Sequence, residues 1–368
     1  MNQKEANKRS FSLAKLPPSI DLETAAVLKK AAQAHRYLAE LKGISATIPN
    51  QDILINTLSL QEAKDSSAIE NIITTHDALF QQELFTEVIN LPAKEVQRYA
   101  IALKKGFELV GKAGFLRNQY IIDIQALIEG NKAGFRRLPG TELKNKDTGE
   151  TVYIPPQHPA EIERLMGNLE QFINDDAISL LDPLIKMAVI HYQFESIHPF
   201  SDGNGRTGRI INILYLVQKE LLNIPVLYLS RYIIDNKSAY YRLLQDVRDK
   251  EAWEEWVLYM LDGVEKTSRQ TIAIVNGIRE AMADYKRRIR DHYKFKFYSQ
   301  DLMNNLFSHP YTKIDFLRRD LRVTRLTATR YLDAMAKVGL LQKKKIGTSN
   351  FYINTVLFKL LTKVPTVH

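Results

Sequence analysis

From Asp182 to Leu222 the chain spells out two helices and the loop that joins them. Asp182-Pro183 is a helix start, with Asp as N-cap and Pro at the first helical position, where its missing N–H is no loss. The helix that follows has to stop before His198-Pro199, because the residue preceding a proline is disfavoured in the α region. After the stop comes HPFSDGNGRTGR, residues 198–209, and then RIINILYLVQKELL, which is apolar on nearly every face. Such a segment is predicted to be a buried central helix.

The other segments up to residue 280 mostly show helical periodicity with short breaks: Leu22 to Leu41, then Gln51 to Leu60 and Glu62 to Asn71 as two further short helices, and Glu161 to Ile173. The exception lies at 136–159. There Thr141–Lys144 and Glu150–Ile154 flank a polar turn, Asn145-Lys146-Asp147-Thr148-Gly149, ahead of a Pro-Pro stop, which reads as a β-hairpin lid or binding edge. At 368 residues the chain has room for two or three domains at roughly 150 residues each. It contains no cysteine, which excludes disulfides and thiolate metal sites and permits a reducing compartment. No secretory signal and no apolar run of the roughly 20 residues a membrane span needs is found, so the expectation is a soluble, cytoplasmic protein without membrane partners.

The loop carries the chemistry. Gly203, Gly205 and Gly208 spell GxGxxG, but a dinucleotide fingerprint needs a strand before its first glycine, and here stand a helix end, a proline and the carboxylate of Asp202. No Gly-Lys-Ser/Thr follows, so a P-loop fails too. A helix N-terminus suits phosphate better, because its free N–H groups and positive dipole end point into the loop. Arg206 and Arg209, three apart, share a helix face and can grip successive phosphates, and Asn204 adds a neutral donor. A divalent ion shared with the phosphates, Mg²⁺, would neutralise Asp202. His198 is the nearby group suited to proton transfer near neutrality. The bland alternative is a Gly-rich turn with a capping Asp and surface arginines; six functional residue types in twelve positions speak against it.

Residues 198–209 match the signature HPF-x-[D/E]-G-N-[G/K]-R-x-x-R at every specified position, and the chain therefore resembles the Fic-domain (Fic/DOC) proteins. The resemblance implies a mainly α fold: a Fic-type helical bundle with a small β-hairpin flap. It also implies transfer of AMP from ATP to a Ser, Thr or Tyr hydroxyl of a target protein or of the enzyme itself. On that footing His198 is the general base and Asp202 the Mg²⁺ ligand. Asn204, Arg206 and the amides of Gly203, Gly205 and Gly208 hold the α- and β-phosphates, Arg209 the γ-phosphate, Thr207 belongs to the same ATP-binding loop, and Phe200 anchors it. The hairpin at 141–154 becomes a flap that aligns the target by strand addition, with Val152 and Tyr153 near the nucleotide. Tyr240 and Tyr241 fall where relatives place tyrosines beside adenine, although ordinary helix packing explains the pair equally well.

Relatives also carry an inhibitory helix of pattern [S/T]-x-x-x-E-[G/N], which Ser66 to Asn71 fits. Ser67-x-x-Glu70 is a capping box as well, a reading that needs no function. With the loop present, the brake is preferred: Glu70 pairs with Arg209 and withdraws it from the γ-phosphate. In some relatives the same glutamate assists removal of AMP, which leaves a reverse reaction open.

Charge divides the chain. Of a net +9, residues from Ala281 onward hold 18 Lys and Arg against 6 Asp and Glu, so the preceding 280 are slightly acidic. Asp315–Leu321 and Arg325–Val338 read as helices around a turn, the second with Leu326, Leu332 and Met335 facing inward, followed by a hairpin around Gly347-Thr348-Ser349-Asn350. This order resembles the winged helix-turn-helix module of a subgroup of Fic proteins. It can place Thr327, Thr329 and Arg330 in a DNA major groove with Lys343, Lys344 and Lys345 on phosphates, or it can serve protein docking or a homodimer. The expected domains are 1–110 with the brake, 111–280 catalytic and 281–368 basic. An alternative function is a nucleotide-sensing, DNA-binding regulator, which would not need His198.

Overall fold

The structure of the protein, a computed structural model, describes residues 13–84, 90–144, 148–346 and 349–363. The expected turn residues 145–147, the hairpin tip 347–348 and the first twelve residues lie outside them. Helices α1 (Ala25–Ser45), α2 (Asp52–Ile69), α3 (His76–Leu84), α4 (Leu91–Ala113) and α5 (Asn118–Glu129) are followed by a two-stranded antiparallel hairpin, β1 (Leu143–Lys144) and β2 (Thr151–Tyr153). Then come α6 (Pro159–Asn174), α7 (Pro183–Ile197), α8 (Asn204–Gln218), α9 (Leu229–Asp235), α10 (Lys237–Lys250) and the 35-residue α11 (Trp253–Arg287). Among the described residues no helix is long and apolar enough to cross a membrane.

The centre is formed as the sequence required. Every α7 residue from Leu184 to Ile197 is buried, and so are Arg206 to Leu216 of α8. Asp182 caps α7 by accepting the Leu184 N–H at 2.8 Å, while its other carboxylate oxygen meets His35 Nε2 of α1 at 2.8 Å. At the far end His198 adopts a left-handed conformation, φ 49°, as C-cap before Pro199. The chain thus leaves α7 at a fixed angle, and the loop 198–203 is pinned between two core helices.

The two short helices expected between Gln51 and Asn71 are one continuous helix, α2. No glycine or proline interrupts that stretch, and its polar residues are accommodated inside, with Ser59, Gln61, Glu62, Asp65, Ser66 and Ser67 all buried. A helix with so many buried polar groups needs partners on several sides. Those partners are α4 and α9 of the bundle and, on another side, elements of the C-terminal module.

That module runs α12 (Gln300–Ser308), β3 (Tyr311–Lys313), α13 (Ile314–Leu321), α14 (Arg325–Lys337), β4 (Gln342–Ile346), β5 (Ser349–Ile353) and α15 (Thr355–Thr362), with its sheet ordered β3-β5-β4. Helix, turn, helix and β-wing agree with the expected winged helix. One detail is corrected: Leu326 is 81% exposed, and the inward face of α14 is Ala328, Leu332 and Met335. Leu326 precedes Leu332 by six residues, about 600° of helical turn, which carries it well away from that face. Helix α11 reaches the module directly, with Tyr285 donating to the Leu340 carbonyl at 2.7 Å. Tyr311 is hydrogen-bonded to Asp77 and its ring stacks on Phe80 of α3 at 5.9 Å, so the module also touches the segment just after α2.

Because Asp182 serves α7 as cap and α1 as hydrogen-bond partner, Asp182→Ala should lower unfolding free energy by about 1–2 kcal/mol. Asp182→Asn, which keeps a capping oxygen, should cost distinctly less, both read from the midpoint of denaturant unfolding.

Candidate active site

The loop is braced from four directions. Asn204 accepts the Phe200 N–H at 2.9 Å and donates to the Phe200 carbonyl at 2.8 Å. Phe200 is fully buried against Phe135, with ring centroids 5.4 Å apart. Arg136 donates its Nε to the His198 carbonyl at 2.9 Å and its backbone N–H to the Pro199 carbonyl at 2.8 Å. Gln125 of α5 donates to the Asp202 carbonyl at 3.1 Å. Gly203, at φ 78°, is the left-handed residue that turns the chain into α8. The result is a cleft of about 430 Å³ walled by the loop, Glu70 and the facing sides of α4 and α5.

Asn204, the expected neutral phosphate donor, is among the residues that line the cleft; it is 2% exposed, and its amide closes the loop by bonding Phe200 at both ends.

Both arginines are held by carboxylates. Arg209 is 1% exposed; its Nε donates to Ser66 Oγ at 2.8 Å, and its Nη2 to the Ser66 carbonyl at 2.9 Å and to Glu70 Oε1 at 3.1 Å. Burial works against its charge, but Glu70 and other anionic neighbours outweigh it and hold the guanidinium above its ordinary pKa. Ser66 and Glu70 are thus joined to Arg209 as the brake requires. The capping-box alternative fails on geometry, since Ser67 and Glu70 sit at the C-terminal end of α2. Asn71 follows at φ 65° and the Ile72 N–H returns to the Ser67 carbonyl at 3.0 Å, a left-handed helix stop that glycine or asparagine can adopt. Arg206, at 4% exposure, bonds Glu129 of α5 at 2.7 Å and lies 3.5 Å from Glu95 of α4. Glu129 and Glu95 were missed in the sequence; each is one acid on an ordinary amphipathic helix, and nothing local marks it.

His198 lines the cleft, and its Nδ1 is buried without a hydrogen bond of ordinary geometry. Burial pushes its pKa down to about 4, so the imidazole is neutral at physiological pH. Beneath it, burial pushes the Glu195 carboxyl up to about 7, with Arg209 pulling the other way. Asp202 is exposed at the cleft rim, accepting the Gly203 N–H at 2.7 Å. Among the described residues no group of three or more metal-binding side chains is gathered. A single exposed hard-oxygen ligand is nevertheless the donor set that suits Mg²⁺ shared with phosphates, since that ion keeps several waters.

The remaining expected contacts divide. Gly203, Gly205 and Arg206 line the cleft, whereas Thr207 is fully buried and Gly208 packs under Glu195 and Phe194. Tyr240 is 1% exposed with its hydroxyl on His191 at 2.8 Å, so here it is core; Tyr241 is 46% exposed. In the hairpin Val152 is open, while Tyr153 is buried and donates to the Ser196 carbonyl at 2.9 Å. In the C-terminal module Thr329 donates to the Arg325 carbonyl, Thr327 and Thr324 share a hydrogen bond, and Lys343 pairs with Asp333 at 2.7 Å. Arg330, Lys344 and Lys345 stay exposed.

Comparison with known proteins agrees with this architecture. Residues 28–108 match the family described as Fic/DOC family N-terminal, residues 115–216 the Fic/DOC family, and residues 281–357 the C-terminal domain described as protein adenylyltransferase SoFic-like. The chain is similar to proteins named protein adenylyltransferase Fic from Drosophila erecta (30% identical over 130 residues, 35% of this chain and 25% of that protein) and Aedes aegypti (27% over 159 residues, 43% and 30%). It thus spans about a quarter to a third of the length of these relatives. The fold is similar to a crystal structure of a Fic family protein from Desulfovibrio desulfuricans, with a TM-score of 0.58 at 19% identity, covering 92% of this chain and 98% of that one. The DNA-binding regulator receives no support from these matches.

Ser66 and Ser67 offer a matched pair. Ser66→Ala strips the buried Arg209 Nε of its acceptor and should cost about 1–3 kcal/mol. The Ser67 hydroxyl is buried without a partner, so Ser67→Ala should leave the unfolding midpoint nearly unmoved.

Proposed function

Since this chain belongs to the Fic/DOC family, we propose that it is a protein adenylyltransferase, moving AMP from ATP to a hydroxyl side chain of a target protein or of itself, with Glu70 as its brake. The observation that carries the reading is the Arg209–Glu70 ion pair at 3.1 Å beside an intact loop with a neutral His198. The amide of Gly205 and the N-terminus of α8 receive the phosphates, as free N–H groups at a helix start do. His198 takes the proton of the target hydroxyl, the hydroxyl oxygen attacks the α-phosphorus, the bond to the β-phosphate oxygen breaks, and pyrophosphate leaves. Mg²⁺, held through Asp202, would neutralise phosphate charge there. While Glu70 holds Arg209, that guanidinium is unavailable to the γ-phosphate and the triphosphate lacks the grip that orients it for in-line attack.

Residues 1–110 supply the brake in this reading, 111–280 the catalytic core and 281–368 the basic module, with α11 running through the last boundary. The brake needs neither DNA nor a second copy of the chain, because Glu70 and Arg209 meet within one molecule. Absence of cysteine suits a reducing compartment such as the cytoplasm.

Glu70→Gly should raise incorporation of label from α-labelled ATP by about ten- to a hundredfold, the worth of one charge-assisted bond. His198→Ala should abolish it at an unchanged melting temperature. Intact-mass measurement should find an adduct of about 329 Da, AMP less water; equal labelling of all three proteins overturns the reading.

The pH profile tests the base separately. With the pKa of His198 lowered to about 4, kcat/KM of the Glu70→Gly protein should stay level from about pH 8 to about pH 5 and fall only below that. An acidic limb near the ordinary histidine value of about 6.5 would show that the base is not the buried imidazole.

A further inference from the structure

One cation of the cleft has no role in the mechanism above. Arg98 stands one turn after Glu95 on α4, and the two share a helix face toward the loop. Glu95 turns to Arg206, but Arg98 makes no ion pair among the described residues, whereas Arg206 and Arg209 both do. Its one hydrogen bond is long, Nη1 to the Glu129 carbonyl at 3.4 Å. The guanidinium lies against Gly130, where an added Cβ would come within 2.8 Å of Nη2 and 2.9 Å of Cζ. Absence of a side chain at Gly130 therefore makes room for the fork on the cleft wall, next to the Glu129–Arg206 pair.

The electrostatics of the wall make this position consequential. Four carboxylates, Glu70, Glu95, Glu129 and Asp202, line the cleft against two guanidiniums, Arg98 and Arg206. A polyphosphate entering it meets a net negative surface, with Arg206 already shared between two acids. Among the described residues that line the cleft, Arg98 is the guanidinium without an ion pair, and its fork geometry matches phosphate.

We propose that Arg98 is a further substrate-binding residue, outside the signature loop, that grips the terminal phosphates of the nucleoside triphosphate and the pyrophosphate they become. The position favours the terminal phosphates because Arg98 adjoins Glu129 and Arg206, while the phosphate under attack belongs beside His198 and the loop amides. This rests on the adenylyl-transfer reading, but its test does not require turnover.

Calorimetry on the full chain in the Glu70→Gly background, with Mg²⁺, compares pyrophosphate, ATP and AMP. Arg98→Ala should weaken pyrophosphate and ATP by about ten- to a hundredfold, as loss of a charged hydrogen-bond partner does, and leave AMP unchanged. Arg98→Lys should recover part of the loss through its charge. Unchanged pyrophosphate affinity in Arg98→Ala overturns the proposal. So does equal weakening of AMP and pyrophosphate, which would mark Arg98 as a cap on the last carbonyls of α5. If pyrophosphate binding depends on Arg98 while Glu70→Gly forms no AMP adduct, the anion site stands and the transferase reading falls.

Discussion

A guanidinium that is 1% exposed has to be paired, because an unpaired charge at that depth costs several kcal/mol. Arg209 is that group, and the partners that hydrogen-bond it stand on α2 or at its end: Ser66 by hydroxyl and carbonyl, and Glu70. One turn before Ser66, Glu62 is also buried, bonded to the Ser230 N–H at 3.0 Å and the Tyr99 hydroxyl at 3.2 Å, and burial pushes its carboxyl up to about 7. Glu62, Ser66 and Glu70 follow at intervals of four along one face of α2. The helix is therefore held by polar bonds at successive turns, to α4 and α9 through Glu62 and to α8 through Ser66 and Glu70. The loop that begins α8 inherits that constraint, since Arg209 lies in the second turn of the same helix.

The loop at 198–209 was readable because its signature is contiguous: proline stop, αL glycine and helix start are all local events. Glu70 was readable only through a resemblance, since its partner lies 139 positions away in the chain. Glu95, Arg98, Glu129 and Arg136 were invisible for a related reason. Each comes from a different turn or helix, and the fold alone assembles them. Errors ran the other way where composition looked like structure. The stretch from Gln51 to Asn71 read as two helices, yet it is one whose polar residues are buried; and Leu326 looked like core, yet the helical period puts it outside.

The basic module contacts the helical bundle beside α2, the helix that carries Ser66 and ends at Glu70. Phe80 of α3 sits between Tyr311 and Phe358, at 5.9 and 6.0 Å, and His76 reaches back to Gln61 of α2 at 2.9 Å. The positive charge that distinguishes the module thus sits on a body packed behind α2, and the acidic cleft lies on the bundle.

Helix α11 fixes how those two bodies face each other. Its 35 residues make a rod about 52 Å long, packed along α1 near one end and bonded to the module through Tyr285 near the other. A rod of this kind keeps a phase. Each residue inserted or deleted in it turns the module by about 100° and slides it by about 1.5 Å, which parts Tyr311 from Asp77 and Phe80. The length of α11 is thereby as strictly determined as any side chain in the cleft.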